Sequence, residues 1–171
     1  MSENKALAAE GTRSGLRFER RMSELDSMMW RIEKDPSLRS TMTAITLLDS
    51  APDRPWLDAT FERASQVIPR LTQRVASTPL SVAPPEWRSD PSFDLSFHVR
   101  WIGAPGNGSL DDLLDLASAF AASAFDRARP LWELYVVTGL EGGRAAMIQK
   151  LHHAMVCLLY TSDAADDLTR V

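Results

Sequence analysis

Cysteine is all but missing from this sequence: Cys157 is the single one among 171 residues. That excludes an internal disulfide framework and a multi-cysteine metal cluster, and it fits a reducing, cytoplasmic setting. Positive charge is not in excess either. Lysine and arginine number 19 against 23 aspartates and glutamates, a formal net charge of -4, so the basic surface that binds a phosphate backbone is lacking and no nucleic-acid partner is expected. No run approaches the roughly 18 apolar residues of a bilayer span, so any membrane contact is expected to be peripheral. The first stretch mixes Lys5, Arg13, Arg17 and Arg20 with Glu3, Glu10 and Glu19. It holds no apolar segment of the secretion-signal kind, and residues 1–20 read as a flexible leader.

What is present suits one globular core, with 44% hydrophobic and 25% charged residues. Leu25, Met28, Met29 and Ile32 recur at helical steps, and Ser23 and Asp26 stand ready for the first-turn amides, which predicts a short helix over 22–33. Residues 41–48 are apolar, rich in β-branched side chains and uncharged, the pattern of a buried strand; Pro52, Asp53 and Pro55 end it in a turn. Leu57, Phe61, Ala64, Ile68, Leu71 and Val75 mark one face of an amphipathic helix whose Glu62, Arg63, Arg70 and Arg74 face water. Pro69 predicts a kink in it, or a stop and restart.

Residues 77–90, with Pro79, Pro84 and Pro85 and no period, read as a surface loop. Phe93, Leu95, Phe97, Val99 and Trp101 alternate with Asp94, Ser96, His98 and Arg100, which predicts a strand with one buried and one polar face. After a turn at 103–108, Ser109 caps and Asp112 completes an acidic capping box for a helix over 110–125, with Leu113, Ala117, Phe120 and Ala124 inward. Apolar runs at 131–137 and 145–151, joined through Gly139, Gly142 and Gly143, predict a hairpin. Strand and helix signals alternate without a parallel-sheet fingerprint. The expected architecture is α+β, a two-layer α/β sandwich with a mixed or antiparallel sheet of about four strands.

The second hairpin strand runs into His152 and His153. Neighbours on a strand point to opposite faces, so only one of the pair serves a given cleft, and His153 shares its parity with Leu151, Gln149 and Met147. An imidazole ionises near neutral pH and suits proton removal from an alcohol. Taken from periodicity alone, the pair reads as a packing residue beside a solvated one. A metal site is not expected, because adjacent histidines on opposite faces do not easily share one ion and His98 is the only further imidazole.

The stretch from Asp126 to Glu133, with Pro130-Leu131-Trp132-Glu133, then a hairpin, then His152-His153-Ala154-Met155-Val156, resembles the wax ester synthase/diacylglycerol acyltransferase family. There a Pro-Leu-Trp-Glu segment precedes a His-His-x-x-x-Asp-Gly motif by a similar distance. The similarity runs from Met22-Ser23-Glu24-Leu25-Asp26 through Val156. The shorter His-x-x-x-Asp pattern is shared with chloramphenicol acetyltransferases and peptide-synthetase condensation domains. Where the motif asks for aspartate and glycine, this chain has Cys157 and Leu158, and residues 157–171 no longer resemble the family. They read as a foreign tail of the kind a translated sequencing adapter leaves.

The resemblance implies one lobe of the CoA-dependent, chloramphenicol acetyltransferase-like fold over 21–156, truncated, and by itself inactive. It implies acyl-CoA as co-substrate without a further cofactor, and a diacylglycerol or a long-chain alcohol as acceptor. His153 would be the general base and His152 the neighbour that shapes the site. A missing second lobe would complete the acyl and acceptor tunnels, and its absence would leave apolar surface that favours self-association. The family's place at membranes or lipid droplets implies peripheral contact. Trp132 and Glu133 read as a core residue and an edge charge, Arg127 and Arg129 as a solvated helix end, and His98 as ordinary surface. The alternatives are a condensation-type domain using carrier-bound acyl groups and a non-catalytic α+β binding module.

Overall fold

The computed structural model describes residues 20–33, 35–77 and 83–155. The proposed leader lies outside them except for Arg20, and so does the tail at 157–171. In chain order the elements are α1 (Glu24–Ile32), β1 (Thr41–Leu48), α2 (Arg54–Val67), β2 (Gln73–Ala76), β3 (Glu86–Ser89), α3 (Leu95–His98), β4 (Val99–Gly103), α4 (Leu110–Ala122), β5 (Trp132–Leu140) and β6 (Arg144–His152).

β1, β6, β5 and β4 form a four-stranded sheet in that order, and β2 with β3 forms a separate two-stranded ribbon. β1 and β5 run antiparallel to β6. β4 and β5 are parallel, which requires a crossover between them, and α4 supplies it. The sheet is therefore mixed, as expected. The last strand of the sheet lies inside it, between the first strand and the hairpin partner.

The pleat sends side chains to two cores. On one face Leu113, Ala117 and Phe120 of α4 pack on Val137, Leu140, Ala146 and Ile148. On the other, Trp132, Leu134 and Val136 of β5 meet Leu57 of α2 together with Val75, Trp87 and Val99. The capping box of α4 forms as read: Ser109 Oγ accepts from the Asp112 amide, and the Asp112 carboxylate accepts from the Ser109 amide, each at 3.1 Å.

Several expectations need correction. The helix predicted from Leu57 to Val75 does stop at Pro69 as expected, ending at Val67 because the proline forces Ile68 into an extended conformation (φ -109°, ψ 93°), but it does not resume as an α-helix. The chain restarts as a single 3-10 turn over Pro69–Thr72 and then becomes β2, so Val75 is a strand residue. Arg70, expected in water, is buried with its guanidinium 4.0 Å above the Trp87 ring. The loop at 77–90 contains β3. The alternating segment at 93–101 is a strand only from Val99. Before that, Asp94 accepts the Ser96 amide at 2.9 Å and nucleates the single turn of α3, since a local Asx bond competes with strand pairing.

The burial of two elements also differs from expectation. β1 forms where predicted, but as a sheet edge its Met42, Ile45 and Leu47 remain 38%, 37% and 49% exposed. In α1 the periodic Leu25, Met28 and Ile32 face outward, while Asp26, Ser27 and Trp30 are buried. α4 stops at Ala122, which leaves Ala124 exposed rather than inward.

Candidate active site

Both histidines stand where β6 runs out between its two neighbours. The His152 amide donates to the Leu131 carbonyl at 3.1 Å on the β5 side, and the His153 amide donates to the Ser40 carbonyl at 2.8 Å on the β1 side. The chain turns helical at 153–155, so strand parity ends at His152 and does not extend to His153. Ala154 and Met155 anchor this turn in the core.

His152 is buried, 1% exposed. Its Nδ1 accepts the Ala154 amide at 3.0 Å, and its Nε2 lies 2.7 Å from Glu33 Oε1. An Nδ1 that accepts has no proton of its own, so the neutral ring carries its proton on Nε2, toward the carboxylate. Trp30 meets the ring edge-on at 5.8 Å. Burial opposes ionisation of Glu33, but the His152 ring, the Ser40 amide and Arg127 outweigh it and hold the carboxyl below the ordinary glutamate range. Glu33, Arg39, Thr41, Arg127 and His152 share the wall of a cavity of about 110 Å³.

His153 is half-buried, and among the described residues its Nδ1 has no hydrogen-bond partner. The two neighbours therefore differ in kind: one ring is enclosed, accepting the Ala154 amide and lying against the Glu33 carboxylate, and the other is partly open.

The remaining predicted residues lie around this point rather than in it. Trp132 is in the core, as read; its Nε1 donates to the Leu71 carbonyl at 2.8 Å and its ring stacks on His98 at 4.6 Å. His98 is not a surface residue. It is fully buried between Phe93 and Trp132, with Nδ1 2.6 Å from the Trp132 carbonyl oxygen, because α3 turns it inward where a strand would have turned it out. Glu133 is 8% exposed rather than an open edge charge. Arg127 and Arg129 follow the end of α4 by several residues. Arg127 stacks 4.0 Å from Trp30 and donates to the Trp30 carbonyl, and Arg129 lies 3.4 Å from Asp126. Neither lies at a helix end, although Arg127 is exposed as read.

Sequence reading missed Glu33, Ser40 and Lys150. Glu33 carried no signal, since a charge closing a short helix is ordinary. Lys150 did carry one, as a lone charge inside the apolar run of β6. Among the described residues no helix is long and apolar enough to cross a membrane, and no group of three His, Cys, Asp or Glu side chains is gathered as a metal would need.

Comparison with known proteins bears on this arrangement. The profile of the wax ester synthase/diacylglycerol acyltransferase catalytic domain matches residues 22–157. A Mycobacterium tuberculosis protein named as a diacylglycerol O-acyltransferase is 40% identical over 134 residues, which cover 78% of this chain and 27% of that protein. A second from the same species is 35% identical over 140 residues, covering 79% and 29%. The chain thus spans about a quarter of the length of the curated relatives it matches. Among solved structures, the wax ester synthase/diacylglycerol acyltransferase of Marinobacter aquaeolei VT8 superposes with a TM-score of 0.66 at 25% identity, over 81% of this chain and 34% of that one. The first condensation domain of the CDA synthetase shares the fold, with a TM-score of 0.61 at 14% identity over 81% and 35%. With its matched residues reaching across both cores and the histidine pair, this chain belongs to the wax ester synthase/diacylglycerol acyltransferase family.

Proposed function

We propose that this chain carries the histidine side of an O-acyltransferase that moves a fatty acyl group from acyl-CoA to the hydroxyl of a diacylglycerol or a long-chain alcohol. His153 is the general base. It takes the hydroxyl proton as the oxygen attacks the thioester carbonyl; the tetrahedral intermediate then expels the CoA thiolate, which receives that proton, leaving ester and free CoA. No covalent enzyme intermediate and no cofactor beyond the acyl-CoA co-substrate are required. A second lobe of the parent protein completes the acyl and acceptor pockets, and the protein works in the cytoplasm with peripheral contact to a membrane or lipid droplet.

The observation that supports this assignment is the contrast between the two rings. His152 is enclosed, with Nδ1 accepting the Ala154 amide and Nε2 2.7 Å from the Glu33 carboxylate, whereas His153 is half-buried just past the end of the same strand. The test is ester formation from labelled palmitoyl-CoA with dioleoylglycerol or hexadecanol, using the reading frame extended at its source locus to the length of its relatives. Replacement His153→Ala is expected to lower turnover by roughly 10² to 10⁴, the span of a positioned general base. Unchanged turnover would remove His153 from the reaction.

A further inference from the structure

We propose that Glu33 is a positioning residue, whose carboxylate holds the Ser40 amide and the His152 ring at once and thereby sets the backbone on which His153 stands. The role presupposes that His153 is the base.

One oxygen carries the arrangement. Glu33 Oε1 accepts the Ser40 amide at 2.6 Å and lies 2.7 Å from His152 Nε2. Each of these partners in turn holds one amide of the turn that bears the base. The Ser40 carbonyl accepts the His153 amide at 2.8 Å, and His152 Nδ1 accepts the Ala154 amide at 3.0 Å. The path from the carboxylate to the His153 backbone is therefore double, once through the start of β1 and once through the imidazole. Arg127 reaches the other carboxylate oxygen at 3.5 Å and is stacked on Trp30, so the carboxylate is held from its far side as well.

Chemistry gives the clamp a direction. With its proton on Nε2, His152 keeps that nitrogen 2.7 Å from Glu33 Oε1 and accepts from Ala154 through Nδ1; the opposite tautomer would set an N–H against the Ala154 amide and a lone pair against the carboxylate. Glu33 therefore selects the tautomer that keeps His152 out of the reaction and the turn closed, leaving His153 as the ring available to substrate. At 8% side-chain exposure, the carboxylate is a group whose removal leaves buried donors without an acceptor.

The test is nitrogen-detected imidazole NMR with amide hydrogen exchange on the ¹⁵N-labelled 171-residue chain, wild type and Glu33→Gln. In the wild type, His152 is expected with its proton on Nε2, and the amides of His153 and Ala154 are expected to be protected from exchange. In Glu33→Gln, the His152 tautomer signature is expected to change, and those two amides to exchange about tenfold faster while Leu113 in α4 keeps its rate. A wild-type His152 protonated on Nδ1 overturns the proposal whether or not any variant folds. So does a folded Glu33→Gln chain with unaltered His152 nitrogens and unaltered exchange at His153. Neither result touches the ester assay of His153→Ala, so the failure of the clamp and the failure of the base are separately visible.

Discussion

Glu133 and Lys150 face each other across the β5–β6 ladder, and both are buried. Lys150 Nζ reaches past its partner to the end of α4, donating to the Ser123 carbonyl at 3.0 Å and to its hydroxyl at 2.7 Å, with the Phe120 and Phe125 rings within 5 Å. Burial pushes the lysine down from its ordinary range and the glutamate up, and their mutual attraction opposes both shifts.

Removing the lysine should therefore unbalance the glutamate. Lys150→Met is expected to lower stability by about 2 kcal/mol at neutral pH, since a buried charge loses its counterpart and the last turn of α4 loses two donors. In a Glu133→Gln background the same replacement is expected to cost about half as much. Urea denaturation of the two single variants and the double variant checks both figures, and strict additivity would show that the facing charges do not interact.

Acid should weaken the other core through His98. Burial pushes its pKa below the ordinary histidine value of 6.5 despite the bond to the Trp132 carbonyl, and Arg129 and Arg100 add to the shift while Asp90 opposes it. A folded-state pKa below the unfolded one means that the unfolded chain binds more protons. Stability is then complete above 6.5 and falls as pH drops below it. Denaturation midpoints at about pH 7.5 and pH 5.5 should differ, and His98→Phe, which keeps the stacked ring, should flatten that difference. An equal slope in the variant would assign the acid sensitivity elsewhere.

The open edge of β1 should make the chain associate with itself. Among the described residues no strand pairs with the outer edge of β1, whose eight uncharged residues hold no proline and leave Met42, Ile45 and Leu47 exposed, the combination that strand edges ordinarily avoid. Light scattering on the purified chain is expected to show mass growing with concentration, and Ile45→Lys to suppress that growth with stability kept within about 0.5 kcal/mol. A wild-type chain that stays monomeric throughout would refute this.

Local chemistry was legible in the sequence where its competitors were weak. Ser109 and Asp112 announce the start of α4 because the box satisfies its amides wherever the helix packs, and the glycines at 139, 142 and 143 announce the hairpin because each has positive φ. The alternation from Phe93 misled, since Asp94 and Ser96 bond locally and the ladder begins only at Val99. Periodicity in α1 named the right element and the wrong face: Leu25, Met28 and Ile32 are regular, but Asp26, bonded to Ser23, goes inside. The histidine pair was readable through resemblance. Its supports were not, because Glu33 and Ser40 meet the histidines only through strand order, which no pattern along the chain encodes.

The placement of β6 between β1 and β5 bears on synthesis. During translation β1 leaves the ribosome long before the strand it pairs with, and its bare edge waits through α2, the ribbon, β4, α4 and β5 for the segment that covers one side of it. The strand that closes the gap is the one that ends in His152. The sheet and the site therefore both wait on β6, and a nascent chain halted before it would lack the strand that pairs with β1.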